Sequence, residues 1–212
     1  MLIDLVKSKV KDDSDRLTDA DDYQPAVAAA LERYSRHRPL EITQDLAGTN
    51  GHDLALPVGW AADFSRLVQV EYPVDQVPEE ILSADHWKIY RAPSGLKLRL
   101  RYEEPSDGES VRVTYTMPRN EADIAATDTD AVACLAASIC LRTMAAAYGQ
   151  TSDSTIAADV VNYRSKSDEF RRLAEGLEGE YRAHLGLSDK GDVSAAAAIS
   201  AAPASNRVRL TH

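Results

Sequence analysis

Apolar residues recur at helical spacing at both ends of this chain and at alternating spacing in its middle. Leu2, Ile3, Leu5, Val6 and Val10 predict a short amphipathic helix ending near Asp12. A second helix runs to about Arg36, with Val27, Leu31 and Tyr34 as its buried stripe. Asp22 is its expected cap, Pro25 lies in its first turn, and Pro39 stops it. From residue 40 to 118 the period falls to two. Strands are expected over residues 40–43, 53–56 and 65–72, the first two around the turn Gly48-Thr-Asn-Gly51, and over 87–91 before Pro93-Ser-Gly95. Leu96, Leu98, Leu100 and Tyr102 alternate with Lys97, Arg99 and Arg101. Val111, Val113, Tyr115 and Met117 alternate with Arg112, Thr114 and Thr116. Across Pro105-Ser-Asp-Gly108 these two runs predict a hairpin with one apolar face and one basic face.

Beyond a polar connector, Asp128, Thr129 or Asp130 is expected to cap a helix reaching about Tyr148. Val132, Leu135, Ile139, Met144 and many Ala make it apolar nearly all round, which predicts burial on several sides. It belongs either centrally in a bundle or at a subunit contact, and it needs more cover than a small bundle easily offers. The last helix begins near residues 155–159, with Val160, Tyr163, Phe170, Leu173, Leu177, Tyr181 and Leu185 as its stripe. Asp168/Arg172 and Glu178/Arg182 are candidate i,i+4 pairs, and Gly186 reads as a C-cap. The expectation is an α+β protein: a helical bundle with an inserted antiparallel β-sheet domain and an extended C-terminal tail. Residues 1–39 supply the N-terminal helices, 40–118 the β domain, 119–187 a helical hairpin and 188–212 the tail.

Composition narrows the function. The net charge of −10 argues against a protein that grips nucleic acid through phosphates, while leaving room for DNA to pass without sticking. Six Asp within residues 12–22 suggest a calcium loop, but an EF-hand starting at Asp13 would find Thr18 and Gln24 where it needs Gly and Glu. A solvated turn fits better. Cys134 and Cys140 fall on different faces of one helix, too far round to pair, and point to a cytosolic compartment. Residues 1–7 contain Asp4 and do not read as a signal peptide, and no membrane span is expected. Neither His37, His52, His86, His184 and His212 nor any nucleotide or nucleophile motif assembles a recognisable metal, cofactor or catalytic site. Arg33, Arg36, His37 and Arg38 suit either a dipole-matched helix end or a partner or phosphate contact. The stripe of Lys97, Arg99, Arg101 and Arg112 suits either a solvated sheet face or an acidic partner. Arg207, Val208, Arg209 and Leu210 alternate basic and apolar, as a strand added to a partner's sheet would.

Three stretches carry a family likeness. They are Ala26-Val-Ala-Ala-Ala-Leu-Glu-Arg-Tyr-Ser-Arg-His-Arg-Pro39; the β region with Val70-Glu-Tyr-Pro73 and Val111-Arg-Val-Thr-Tyr-Thr116; and Met144-Ala-Ala-Ala-Tyr-Gly-Gln-Thr-Ser-Asp-Ser154 followed by Tyr163-Arg-Ser-Lys166. Through residue 187 or so the chain resembles the head–tail connector (neck adaptor) proteins of tailed bacteriophages. The resemblance implies a non-enzymatic virion protein, made in the host cytoplasm, that forms a ring beneath the portal, commonly of twelve copies. Such a ring receives the next neck or tail-completion protein and passes genomic DNA through its bore. The β insertion is large compared with the purely helical members of that family. Two other classes stand beside this reading. One is a small enzyme using the sheet face around Trp60, Trp87, Asp63, Glu71, Asp85 and Glu103; the other is a monomeric acidic binding module.

Overall fold

The computed structural model describes residues 2–12, 15–150, 160–188 and 191–194, with side chains left out of account at 160–165, 188 and 191–194. The chain divides into two compact units. One comprises residues 1–37 and 124–212, the other residues 38–123.

The first unit is a helical bundle. Helix α1 (Leu2–Val10) buries Leu2, Val6 and Val10 and ends where Lys11 turns to φ 51°. Asp12 Oδ2 then accepts the Leu17 amide at 2.8 Å. The next cap is Thr18, not Asp22. Thr18 Oγ1 accepts the Asp21 amide, and Asp22 Oδ2 accepts the Thr18 amide in return. This reciprocal cap stabilises one π-helical turn (Asp19–Tyr23) that leads directly into α2 (Gln24–His37). Helix α2 is rotated from the expected stripe: Ala26, Ala30, Tyr34 and Ser35 are buried, while Val27 and Leu31 are only half-buried.

Helix α3 (Thr129–Gln150) is the centre of this unit, flanked by α4 (Val160–Leu185), α1 and α2. By length and composition alone it would be apolar enough to cross a membrane. Here it is the core, with residues 131–138 all buried. Of the two placements open to α3, central in its own bundle or at a subunit contact, its first two-thirds take the former. Small side chains explain how. Ala131, Ala133, Ala136 and Ala137 share one buried core with Ala26, Ala30 and Ala174, and side chains this short let helix axes approach closely. The same effect corrects the stripe on α4. Leu173 is 51% exposed, and Ala174 is fully buried beside it in sequence. Ser167, Tyr181 and Leu185 are also buried, with Phe170 and Leu177 at the margin. Tyr163 lies among the residues whose side chains are not described. Gly186 ends the helix at φ +67°, a conformation that costs glycine little. The chain just past Gly186 is not simply extended: β7 (Leu187–Ser188) and β8 (Gly191–Ser194) pair as a small antiparallel hairpin.

The second unit holds two three-stranded antiparallel sheets around one core. In the first, β6 (Ser110–Met117) lies between β1 (Leu40–Ala47) and β3 (Leu67–Glu71). In the second, β5 (Gly95–Leu100) lies between β2 (Asp53–Ala55) and β4 (Trp87–Ala92). Leu46, Leu54, Val70, Leu98, Leu100, Val111, Val113 and Tyr115 interdigitate between the sheets. The expected β5–β6 hairpin does not form, because these strands belong to different sheets. The true hairpin is β4–β5, closed by Pro93-Ser94 with Ala92 opposite Gly95. Residues 101–109 instead carry the chain from one sheet to the other, which leaves Tyr102 68% exposed rather than inward. Gly48 secures that crossing. Its amide bonds Glu109 O at 2.9 Å, and a Cβ there would collide with the Pro105 and Ser106 carbonyls. Arg119 ties the two ends of the unit together, donating to the Arg38, Pro39 and Asp123 carbonyl oxygens at 2.7, 3.3 and 2.5 Å.

Candidate functional site

The polar groups of the bundle concentrate at the C-terminal ends of α2 and α4. Asp128, at the start of α3, is 1% exposed. Its carboxylate accepts from Tyr34 Oη at 2.7 Å and Thr127 Oγ1 at 3.2 Å, and meets His184 Nε2 at 2.9 Å. A carboxylate so enclosed needs every one of these partners. The network is structural, joining α2, α3 and α4 through residues 56 and 94 positions apart. Nearby, His37 Nδ1 contacts Tyr181 Oη at 2.7 Å. Arg33 donates to Glu178 at 3.1 Å, and Arg142 bonds the same carboxylate. Arg36 pairs with Glu32 one turn back, at 2.5 Å. Glu178 thus faces α2 and α3.

These side chains border a cleft of about 430 Å³ lined by Arg33, Arg36, His37, Glu178, Tyr181, Arg182 and Leu187. The basic helix end expected from the sequence is therefore a concave, cation-rich surface in a chain of net charge −10.

In the β unit the basic stripe is divided. Lys97 and Arg99 lie on one face of β5, Arg101 lies just past its end, and Arg112 belongs to the other sheet. Arg99 is bound to Asp53 by two parallel bonds of 2.6 and 2.7 Å, and Tyr90 Oη donates to the same carboxylate. The Arg99 guanidinium, and then the Tyr90 hydroxyl, hold Asp53 well below the usual carboxylate range. Arg112 bonds both oxygens of Asp45 at 2.8 and 3.1 Å and Asp75 at 2.8 Å, which raises its already high pKa. Lys97 and Arg101 form no ion pair among the described residues, unlike Arg99 and Arg112. Arg207, Val208, Arg209 and Leu210 lie outside the described residues.

The groups suggested for an enzymatic site do not converge. Glu71 accepts the Asp75 amide and faces Arg112, Glu103 bonds His86, and Asp63 and Asp85 are exposed. A cleft of about 330 Å³ beside β1 and β6 is lined by Asp45, Tyr72, Asp75 and Glu109, not by the tryptophans. Burial pushes the Cys134 thiol up to about 11 and the Cys140 thiol to about 12, so neither is a ready nucleophile. Among the described residues, no group of three His, Cys, Asp or Glu is placed to hold a metal. The Asp128 network is invisible in the sequence because its members are far apart in the chain. The only local sign is an acidic residue at a helix start.

No protein-family model matches the chain, and no curated protein matches it. Among solved structures, one similar chain belongs to the neck of a native GTA particle computed with C12 symmetry. It shares 16% identity over 79% of this chain and 88% of that one, with a TM-score of 0.28.

Proposed function

We propose that this protein is a structural virion component: a neck adaptor that forms a ring between the capsid portal and the next neck or tail-completion protein. The observation that carries the proposal is the order of the chain. Two helices, a β unit, a buried helix and a long charged helix succeed one another, and the head–tail connector resemblance rests on that order. The chemistry agrees with a protein that binds rather than transforms. The carboxylates, imidazoles and guanidiniums of both units are spent on fixing the fold to itself or lie at its surface. A chain of net charge −10 also suits a bore through which DNA slides without being held.

In this reading the ring holds several copies, twelve in the commonest form of the family, and no cofactor or metal takes part. The bundle supplies the ring. The β unit and the terminal segment with Arg207, Val208, Arg209 and Leu210 are offered to neighbouring proteins, as are Lys97, Arg99 and Arg101. Arg99 would have to act while still bound to Asp53. Electron microscopy of the purified protein mixed with portal tests this. Side views showing an added ring on the portal are expected. Portal particles that remain bare at excess protein contradict it.

A further inference from the structure

The two ends of helix α2 carry opposite charge. At its start are Asp19, Asp21 and Asp22, with Asp12 and Asp15 in the turn before. At its finish are Arg33, Arg36 and His37, with Arg182 of α4 across the cleft. Fourteen residues at a rise of about 1.5 Å separate the two poles by about 21 Å. Both belong to the same compact unit.

We infer that this cleft is a docking site for a second copy of the chain, whose acidic turn (Asp15, Asp19 and Asp21) enters it. The inference rests on the ring reading and names the contact that would build the ring. Three observations support it. The first is complementarity: around the cleft the guanidiniums of Arg33, Arg36 and Arg142 meet only two carboxylates, Glu32 and Glu178, among the described ion pairs. The surplus is positive although the whole chain is strongly negative.

The second is availability. Asp15, Asp19 and Asp21 are exposed, and among the described residues Asp19 pairs with the half-exposed Lys7. Arg36 and Glu32 are 69% and 66% exposed. A pair this solvated is worth little, so Arg36 exchanges partners at small cost. The third is geometry. Acidic and basic patches at different places on one subunit make a heterologous contact, and heterologous contacts that close generate rings. An isologous dimer would instead have to seat both acidic turns in both clefts at once across a two-fold axis.

The test is a charge exchange read by sedimentation and electron microscopy at low salt. One variant carries Arg33→Glu and Arg36→Glu, the other Asp19→Lys and Asp21→Lys. Each alone opposes like charges at every contact and is expected to sediment as a single copy. Mixed in equal amounts, the reversed cleft of one meets the reversed turn of the other, and the unaltered pair meets as before. Alternating rings with an even number of copies should return. A variant that simply fails to fold cannot be rescued by mixing. Should the double reversals cost the fold, the exposed single changes Arg36→Glu and Asp21→Lys run the same exchange.

Variants that assemble alone as the wild type does overturn this contact and leave the ring reading standing. The contact is equally overturned by folded variants that stay single when mixed. A wild-type protein that never forms a multi-copy species contradicts the ring reading and this contact together.

Discussion

The bundle and the β unit solve burial in opposite ways. The bundle core packs many alanines around α3, together with the buried rings of Tyr23, Tyr34, Tyr148 and Tyr181. Its buried polar residues, Ser35, Asp128, Ser138 and Ser167, are each bonded within the unit. The β unit is built from Leu, Val and Tyr in alternation, and most of its charges lie outside, in pairs such as Arg99–Asp53 and Arg112–Asp45, with Glu71 buried beside Arg112. Close packing of short side chains leaves no slack, because a larger or charged group has nowhere to move. Charges paired across a sheet surface remain partly hydrated and contribute modestly. The bundle should therefore be intolerant inside, and the β unit tolerant outside.

The largest expected break is in α3. Ala136 is fully buried, and Ala136→Glu places a carboxylate among alanines. We expect a loss of about 4 kcal/mol or more, enough to abolish folding of the bundle, read by urea denaturation monitored by circular dichroism. A variant that melts like the wild type would show that α3 is not the core.

The next effect falls on the polar part of the same core. Asp128→Ala removes the buried acceptor shared by Tyr34, Thr127 and His184. A loss of about 2–3 kcal/mol is expected in the same assay. A loss under about 0.5 kcal/mol would mean that the network does not bind the helices together.

The smallest effect sharpens the contrast from the other side. Asp53→Asn should cost less than about 1 kcal/mol, because its carboxylate is part-exposed. Its pH dependence has a definite sign. The folded pKa lies below the unfolded value of about 3.9, so the contribution is complete above that value. It is lost as pH falls from about 4 toward the folded pKa. The wild type and Asp53→Asn should therefore differ in melting temperature at pH 7 and converge in strong acid. A difference that widens in acid would show that Arg99 does not hold Asp53.

The contrast also explains what could be read from the residues alone. The α+β class was legible, because period two and period 3.6 are local properties of the chain. Strand partners were not. Alternation marks residues 96–100 and 111–117 as strands equally well whichever strand lies beside them, and the intervening Pro and Gly resembled a turn. The two-residue closure at Pro93-Ser94 was the tighter hairpin, and only the folded register shows it. On α4, Leu173 was favoured over Ala174 because leucine is the more apolar, yet an alanine-lined partner helix selects the shorter side chain. The basic end of α2 was visible as a run of residues, whereas its cleft needed Tyr181 and Arg182, nearly 150 positions later.

In the proposed ring, copies of this bundle join through charge, not through an exposed apolar helix. Sedimentation of the wild-type protein across ionic strength tests it most directly. Screening lengths fall from about 10 Å at 0.1 M salt to about 3 Å at 1 M, while apolar contacts hold or strengthen. The account predicts a multi-copy ring at low salt that dissociates toward single copies at high salt. A single copy at every salt concentration, or an assembly that tightens as salt rises, would contradict it.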